Sequence, residues 1–222
     1  VDLQTGVARS VPGASDPRRC ERYPDWTPDG RHVLFSRSPI GEPCDGLRGR
    51  LEIARVAVAT DGEAEVEAGA EVLVSWTEAR GSAGQPRVSP DGRWILFTGS
   101  TRGSPTVGSA DLWLAPISGG EGTRLAVSSD AIESWHAFSP DGRWIAFLSN
   151  RDRVAEYHIY LCRFFEDGRV SPALPFPRAG EDRIMSEIFE WNQSPLRWKR
   201  SSPEGLKSSR AGTRRSGKAW SR

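Results

Sequence analysis

The chain has 222 residues, of which 37% are hydrophobic and 9% aromatic, enough for a folded core, so a chain disordered throughout is excluded. Its 30 basic and 29 acidic residues give a formal net charge of +1, so the total predicts no nucleic-acid or membrane-surface binder. No apolar run approaches the roughly 18 residues of a membrane-spanning helix.

An internal repeat is visible in the first 150 residues. Three segments, Trp26–Ser36, Val88–Thr98 and Phe138–Leu148, share the tetrapeptide Pro-Asp-Gly-Arg. Successive copies begin 62 and 50 residues apart, which is near the roughly 40–50 residues of a propeller blade once loop insertions are allowed.

Each shared tetrapeptide predicts a hairpin turn followed by a buried strand. Proline presets φ at the second turn position, aspartate suits the third, and glycine accepts the positive φ that follows. The apolar runs after the turns are Val33–Phe35, Ile95–Phe97 and Ile145–Phe147. Such short continuous runs are typical of strands covered on both faces, as between stacked blades.

Two further strands are expected in every repeat, giving the four strands of one blade. The third strands alternate apolar and polar residues and are expected at Leu51–Val56, Asp111–Ala115 and His158–Cys162. The fourth, more polar strands are expected at Glu71–Ser75, Thr123–Val127 and Val170–Leu174.

The predicted fold is therefore all-β: a partial β-propeller of about three to four four-stranded blades with a disordered basic C-terminal tail. The expected divisions are a propeller at 1–178 with blades around 23–75, 85–127 and 134–174 and a half blade at 1–11, a closing segment at 179–196, and the tail at 197–222. Propellers usually close with four to eight blades. We therefore expect a fragment of a longer protein, with open blade edges that allow self-association.

The basic charge is concentrated in the tail. Residues 1–196 contain 21 arginines, no lysine and 28 acidic residues, whereas residues 197–222 contain nine basic residues and one acid, Glu204. The tail has too little apolar area to offset its ordering entropy. It is either a basic arm for nucleic acid or anionic lipid or a terminus without function; we favour the second and expect no nucleic-acid partner.

The repeat resembles that of the TolB-like β-propeller family, bacterial WD-like propellers whose repeat is Trp-Ser-Pro-Asp-Gly-x-x-Ile-Ala-Phe-x-Ser-x-Arg followed by an Asp-Ile-Tyr strand. The matching residues are Trp26–Arg37, Val88–Ser100, Phe138–Arg151 and His158–Tyr160. The resemblance covers roughly residues 1–178. It implies a periplasmic or exported, non-enzymatic repeat protein that serves as a protein-binding scaffold, although the sequence shows no signal-peptide pattern.

The alternative function is an accessory propeller of a prolyl-oligopeptidase-type serine peptidase or another hydrolase. The catalytic domain of such an enzyme carries its nucleophile in a Gly-x-Ser-x-Gly elbow. This pentapeptide does not occur in the sequence, so catalysis would belong to a domain outside it. We expect no catalytic residue in the chain itself.

The titratable residues favour structural roles over a metal or cofactor site. The histidines fall in or beside different repeats, at His32, His136 and His158, so ordinary strand histidines are favoured. Turn geometry explains the three repeated aspartates without acid–base catalysis. Neither an Asp-x-Asp-x-Asp-Gly calcium loop nor a phosphate-binding Gly-x-x-x-x-Gly-Lys loop is present, so we expect no cofactor.

Three cysteines, Cys20, Cys44 and Cys162, lack Cys-x-x-Cys spacing, which makes a zinc site improbable. A bridge between Cys20 and Cys44 would suit an oxidising compartment. Free or half-buried thiols are the favoured alternative.

A partner-binding surface is predicted on loops, because scaffold loops carry function more often than strands do. The insertion Gly99–Ala110 and its counterpart Arg151–Tyr157 are expected at equivalent edges of adjacent blades. The candidate contact residues are Arg102, Thr106, Arg151 and Tyr157. Solvated loops without a partner remain the alternative.

Overall fold

The computed structural model describes residues 6, 10–42, 50–58, 69–100, 110–152 and 156–176. Within these residues the chain forms twelve β-strands in three antiparallel four-stranded sheets and no helix. Every sheet is a meander in which consecutive strands pair. None of the described residues forms a helix long and apolar enough to cross a membrane.

Each sheet is one blade, numbered here in chain order. Blade 1 contains β1 (Glu21–Trp26), β2 (His32–Arg37), β3 (Glu52–Ala57) and β4 (Glu71–Val74). Blade 2 contains β5 (Ser82–Val88), β6 (Trp94–Ser100), β7 (Ala110–Pro116) and β8 (Thr123–Arg124). Blade 3 contains β9 (Glu133–Phe138), β10 (Trp144–Ser149), β11 (His158–Arg163) and β12 (Leu174–Pro175).

The blades pack face to face, and their first strands contact one another, β1 with β5 and β5 with β9. The second strands lie mid-sheet and are buried as predicted, with Phe35, Phe97 and Phe147 at most 3% exposed. Burying a phenylalanine side chain contributes about 2 kcal/mol. The predicted all-β partial propeller is confirmed by this repeated, stacked arrangement.

The repeated tetrapeptides form the predicted hairpin turns. In the first, the Thr27 hydroxyl donates to Asp29 Oδ1 at 2.5 Å, and the Arg31 N–H donates to the same oxygen at 3.0 Å. Gly30 has a φ of +70°, which a residue with a Cβ adopts only with strain. Hydrogen bonds from Thr27 and the Arg31 N–H lower the pKa of Asp29. The aspartate is thus part of the turn's structure.

The other two turns repeat these contacts. Asp91 accepts from Ser89 Oγ at 2.5 Å, and Asp141 accepts from Ser139 Oγ at 2.6 Å. In each turn the same serine hydroxyl accepts the N–H of the tryptophan that begins the next strand, at 3.0 Å. This identity of contacts explains why the tetrapeptide is unchanged between copies.

The fourth strands are shorter than predicted in blades 2 and 3. In blade 2 the ladder stops at Arg124, and the Ser128 hydroxyl accepts the Leu112 N–H at 2.9 Å. In blade 3 Val170 makes only an isolated bridge, and the Ser171 hydroxyl accepts the Arg163 N–H at 2.9 Å. Serine side chains therefore replace the backbone partners that a longer strand would have supplied.

Three predicted regions lie outside the described residues wholly or in large part. They are the half blade at 1–11, the closing segment at 179–196 and the tail at 197–222. Of the residues just before blade 1, Val11 and Ala14 pack against the buried Phe35, Ala54 and Val56.

Candidate interaction surface

The connections between first and second strands are short turns, whereas those between second and third strands are longer. The Pro-Asp-Gly turns connect first to second strands at one end. At the other end, here called the long-loop end, residues 38–51, 101–109 and 150–157 connect second to third strands. Long loops on a rigid scaffold are where binding residues concentrate.

A cleft of about 550 Å³ opens at the long-loop end of blade 3. One wall is formed by residues 129–132, between β8 and β9, and the other by Asn150, Arg151 and Tyr157, which follow β10. Asp130 is exposed, and Tyr157 is 46% exposed. The cleft thus presents an acidic and an aromatic side chain to solvent.

Hydrogen bonds join the two walls of the cleft. The Ile132 N–H donates to Asn150 Oδ1 at 2.9 Å, which ties the first wall to the second. The Ala131 N–H donates to the Ser129 hydroxyl at 3.2 Å, and Ile132 also bridges to Ala110 of blade 2. Residues 129–132 and Asn150 are therefore held in place by contacts within and between blades.

A buried carboxylate lies beneath the cleft. Glu133, the first residue of β9, has no solvent exposure. Its oxygens accept the Ser129 N–H at 3.0 Å, the Ser129 hydroxyl at 2.6 Å and the Ser149 hydroxyl at 2.9 Å. These hydrogen bonds replace the water that the carboxylate loses on burial. Without them, the desolvation of the charge would cost several kcal/mol.

Arg151 supplies the opposite charge. Its Nη2 donates to Glu133 Oε1 at 3.1 Å and to the Val127 carbonyl at 2.7 Å, and its guanidinium lies 4.6 Å from the ring centre of Tyr160. The guanidinium is thus occupied by internal contacts that join blade 3 to the end of blade 2. Its predicted contact with a partner stays a prediction.

The structure brings two of the four predicted contact residues together. Arg151 and Tyr157 both line the cleft, whereas Arg102 and Thr106 lie outside the described residues. Sequence reasoning missed Glu133, because only the pairing of β9 with β10 places it opposite Ser149. The sequence Glu-Ser-Trp-His-Ala-Phe of β9 gave no signal that its acidic residue would be buried.

A second polar cluster joins blades 2 and 3 at their first strands. His136 is 3% exposed, with Nδ1 3.3 Å from Thr98 Oγ1 and Nε2 3.2 Å from the Leu96 carbonyl. Gln85 Oε1 accepts the Thr98 hydroxyl and the Trp135 N–H, each at 3.2 Å. Burial, with the nearby positive charge of Arg87, lowers the pKa of His136 to about 3.

This neutral histidine is a structural hydrogen-bonding group in the junction. Among the described residues, no group of three or more histidine, cysteine or acidic side chains is arranged to hold a metal ion.

The cysteines differ from the favoured expectation at one position. Cys20 is in a disulfide, so the expectation of a free thiol is wrong there, while Cys44 lies outside the described residues. The Cys20 N–H donates to Ser38 Oγ at 2.9 Å, which holds Cys20 beside the start of the 38–51 connection. Cys162 is a free, buried thiol, and burial raises its pKa to about 12.

No protein-family model and no curated protein sequence matches the chain. Among solved structures, TolB from Acinetobacter baumannii is 23% identical with a TM-score of 0.45, over 68% of this chain and 31% of that chain. The β-propeller domain of the Trilobed protease from Pyrococcus furiosus is 16% identical with a TM-score of 0.44, over 72% of this chain and 43% of that one.

Prolyl oligopeptidase B from Galerina marginata is also similar, at 15% identity and a TM-score of 0.44, over 71% of this chain and 20% of that chain. The chain therefore spans less than half the length of each of these three proteins. The similarity is one of fold.

Proposed function

We propose that the chain is a non-enzymatic, TolB-like propeller module that recognises a protein partner through the cleft of blade 3. The observation that carries the proposal is the construction of the cleft. The Ile132–Asn150 hydrogen bond joins its two walls, and the Glu133–Arg151 pair holds them from beneath.

A fixed cleft supports recognition because little ordering entropy has to be lost when a partner binds. Tyr157 is the side chain best suited to make the central contact. It is a large aromatic residue that lines the cleft and is 46% exposed, and tyrosine is enriched among the residues that dominate binding energy. Asp130 on the opposite wall adds polar selectivity.

We further propose that the module works in the periplasm or outside the cell. The support is the disulfide of Cys20, because disulfides persist in oxidising compartments and are rare in the cytosol.

Site-specific photo-crosslinking tests the partner surface. A photoreactive amino acid replaces Tyr157 in the full chain, and the matched control carries it at Phe165, an exposed aromatic at the opposite end of blade 3. In extracts of the source cells, we expect position 157 to yield a discrete adduct that position 165 does not. Equal labelling at both positions would overturn the proposal.

Alanine substitution then measures the contact with the partner identified in this way. Tyr157→Ala should weaken binding roughly tenfold, the effect of losing one central aromatic contact, whereas Phe165→Ala should leave it unchanged. Arg151→Ala is unsuitable as a probe, because it would leave the buried carboxylate of Glu133 without its counter-charge. An adduct with a hydrolase domain encoded in the same protein would instead identify an accessory propeller.

A further inference from the structure

The segments around the cleft of blade 3 carry more acidic than basic residues. Residues 129–133 and 150–158, which form the walls and their flanks, contain four acidic residues against two arginines. One of the arginines, Arg151, donates to the buried Glu133 and to the Val127 carbonyl. Its guanidinium is therefore already paired inside the protein, and the charge left around the cleft is mainly negative.

Three acidic side chains remain besides Glu133, and they differ in their contacts. Asp152 accepts a hydrogen bond from the Tyr160 hydroxyl, and Glu156 Oε2 lies 3.5 Å from His158 Nε2. Asp130 is exposed, and no hydrogen bond or ion pair links its carboxylate to another described residue. Asp130 is thus the acidic group of the cleft that a ligand can pair with without breaking an internal contact.

Arg124, a cation that Asp130 attracts, is already paired with another residue. Its Nη2 donates to Asp111 Oδ1 at 2.7 Å and to the Ser129 carbonyl at 2.9 Å. The pKa of Arg124 is raised chiefly by the hydrogen bond to Asp111, whereas Asp130 contributes only charge attraction without a hydrogen bond. The negative charge of Asp130 is therefore not cancelled by an ion pair.

The rest of the cleft offers apolar and aromatic surface. Ala131 and Ile132 line the wall that carries Asp130, and the exposed Tyr157 lines the other. The volume of about 550 Å³ is in the range of pockets that hold a ligand. Lysine and arginine combine an aliphatic stem, which packs on apolar surface, with a cationic head that carboxylates and aromatic ring faces attract. The mixture of surfaces in the cleft thus matches a basic side chain.

We propose, on the basis of the function proposed above, that the cleft binds a basic segment of the protein partner, with an arginine or lysine side chain between Tyr157 and Asp130. The aliphatic stem packs on Ala131 and Ile132, the cationic head pairs with the Asp130 carboxylate, and the Tyr157 ring covers the bound side chain. Acidic segments are disfavoured, because like charges brought together at an interface repel each other.

Selection from a displayed library of random peptides, with the full chain as bait, tests the proposal. Only peptides that Tyr157→Ala fails to capture are scored, since the basic residues of 197–222 can hold acidic peptides elsewhere. We expect the wild type to select peptides with arginine or lysine and Asp130→Lys to select acidic ones, because the substitution reverses the charge of the wall. The matched control, Glu166→Lys, changes an exposed acid at the opposite end of blade 3 and should select as the wild type does.

The outcomes separate this proposal from the function on which it rests. Peptides that depend on Tyr157 but lack a basic residue would overturn the proposed basic ligand and leave the cleft as a recognition site. The same selection by the wild type and by Asp130→Lys would also overturn it. If no selected peptide depended on Tyr157, the proposed recognition role of the cleft would fail as well.

A neutral replacement in a selected peptide then measures the contact with Asp130. Citrulline in place of arginine, or acetyl-lysine in place of lysine, removes the positive charge and keeps the stem. In the wild type this change should weaken binding about two- to fivefold, the effect of one exposed ion pair, and in Asp130→Asn it should have less effect. Equal losses in the two proteins would contradict the pairing. An unchanged midpoint of thermal unfolding for Asp130→Asn shows that the variant is folded.

Discussion

Glu133 and Arg151 show how a pair of residues decides the shape of the candidate surface. The carboxylate is fully buried, whereas the guanidinium side chain retains 21% exposure. Three hydroxyl and amide donors surround the carboxylate, so the pair is a structural element beneath the cleft. The contribution of the pair to the free energy of unfolding can be measured without a binding partner.

We predict that Arg151→Ala lowers the free energy of unfolding by about 3–5 kcal/mol, because removing one partner leaves an uncompensated buried charge. Denaturant unfolding of the full chain measures the loss. Adding Glu133→Gln to this variant should recover part of it, since the amide carries no charge.

The matched control for this prediction is Arg169→Ala. Arg169 pairs with Asp167 on an exposed turn, with side chains 79% and 53% exposed, so its removal should not change stability measurably. If Arg151→Ala were as mild as Arg169→Ala, the buried pair would not be the support of the cleft.

At the scale of the strand, each blade begins with the same irregularity. The register of the first strand shifts against the second in all three blades. A residue with positive φ lies at each shift: Tyr23 at +56°, Gln85 at +55° and Trp135 at +50°. An extra residue there forms a β-bulge and bends the strand, and the repetition shows that the bend belongs to the blade design.

The bulge predicts that asparagine is more stable than valine at position 135, the reverse of the usual order in a strand. The side chain is 50% exposed, so backbone conformation dominates the effect of substitution. Trp135→Val should be less stable than Trp135→Asn by about 1 kcal/mol, because asparagine tolerates the left-handed region and a β-branched residue does not. Chemical denaturation of the two variants gives the difference.

Trp26 is the control position, since it is 56% exposed on β1 and does not have positive φ. There valine should equal or exceed asparagine, as strand propensity dictates. The same order at both positions would show that the bulge imposes no conformational cost.

At the scale of the whole molecule, the two blade junctions differ in chemistry. The junction of blades 1 and 2 has a mainly apolar cluster around Leu34 and Phe97, with Asp25 accepting the Val88 N–H at 2.8 Å. The junction of blades 2 and 3 adds the buried, neutral His136 to its apolar cluster. Protonation of a buried histidine can therefore destabilise the junction of blades 2 and 3.

We predict that this histidine makes folding stability fall with acidification below pH 6.5. The pKa of His136 is about 3 in the folded state against the ordinary histidine value of 6.5, so between these values the unfolded state binds more protons and acid favours unfolding. Between pH 7 and pH 4 the loss should be about 3 kcal/mol. Urea unfolding across this range measures it.

His136→Gln should flatten that pH dependence, whatever its effect on stability at pH 7. The control, His158→Gln, removes a partly exposed histidine that lies outside this junction and should keep the wild-type slope. If the stability of the His136→Gln variant fell with pH as steeply as that of the wild type, the acid sensitivity would lie elsewhere in the molecule.

Local sequence determined the repeated turns and the apolar second strands, because φ preferences and burial patterns operate within a few residues. The Asp29 turn and the Phe35, Phe97 and Phe147 strands are as the sequence predicts. The residues at which the fourth strands begin and end could not be predicted from local sequence. They depend on whether a hydroxyl such as that of Ser128 or Ser171 replaces a backbone partner across the sheet.

The candidate surface was only partly accessible from sequence. Loop position identified Arg151 and Tyr157. The internal contacts of the Arg151 guanidinium and the burial of Glu133 depend on two residues 18 positions apart meeting where β9 pairs with β10. What the sequence by itself determined is the blade unit, since turns and strand periodicity are local. The tertiary structure decided which charged groups are buried and where a cleft opens, since burial and long-range pairing exist only once the blades have stacked.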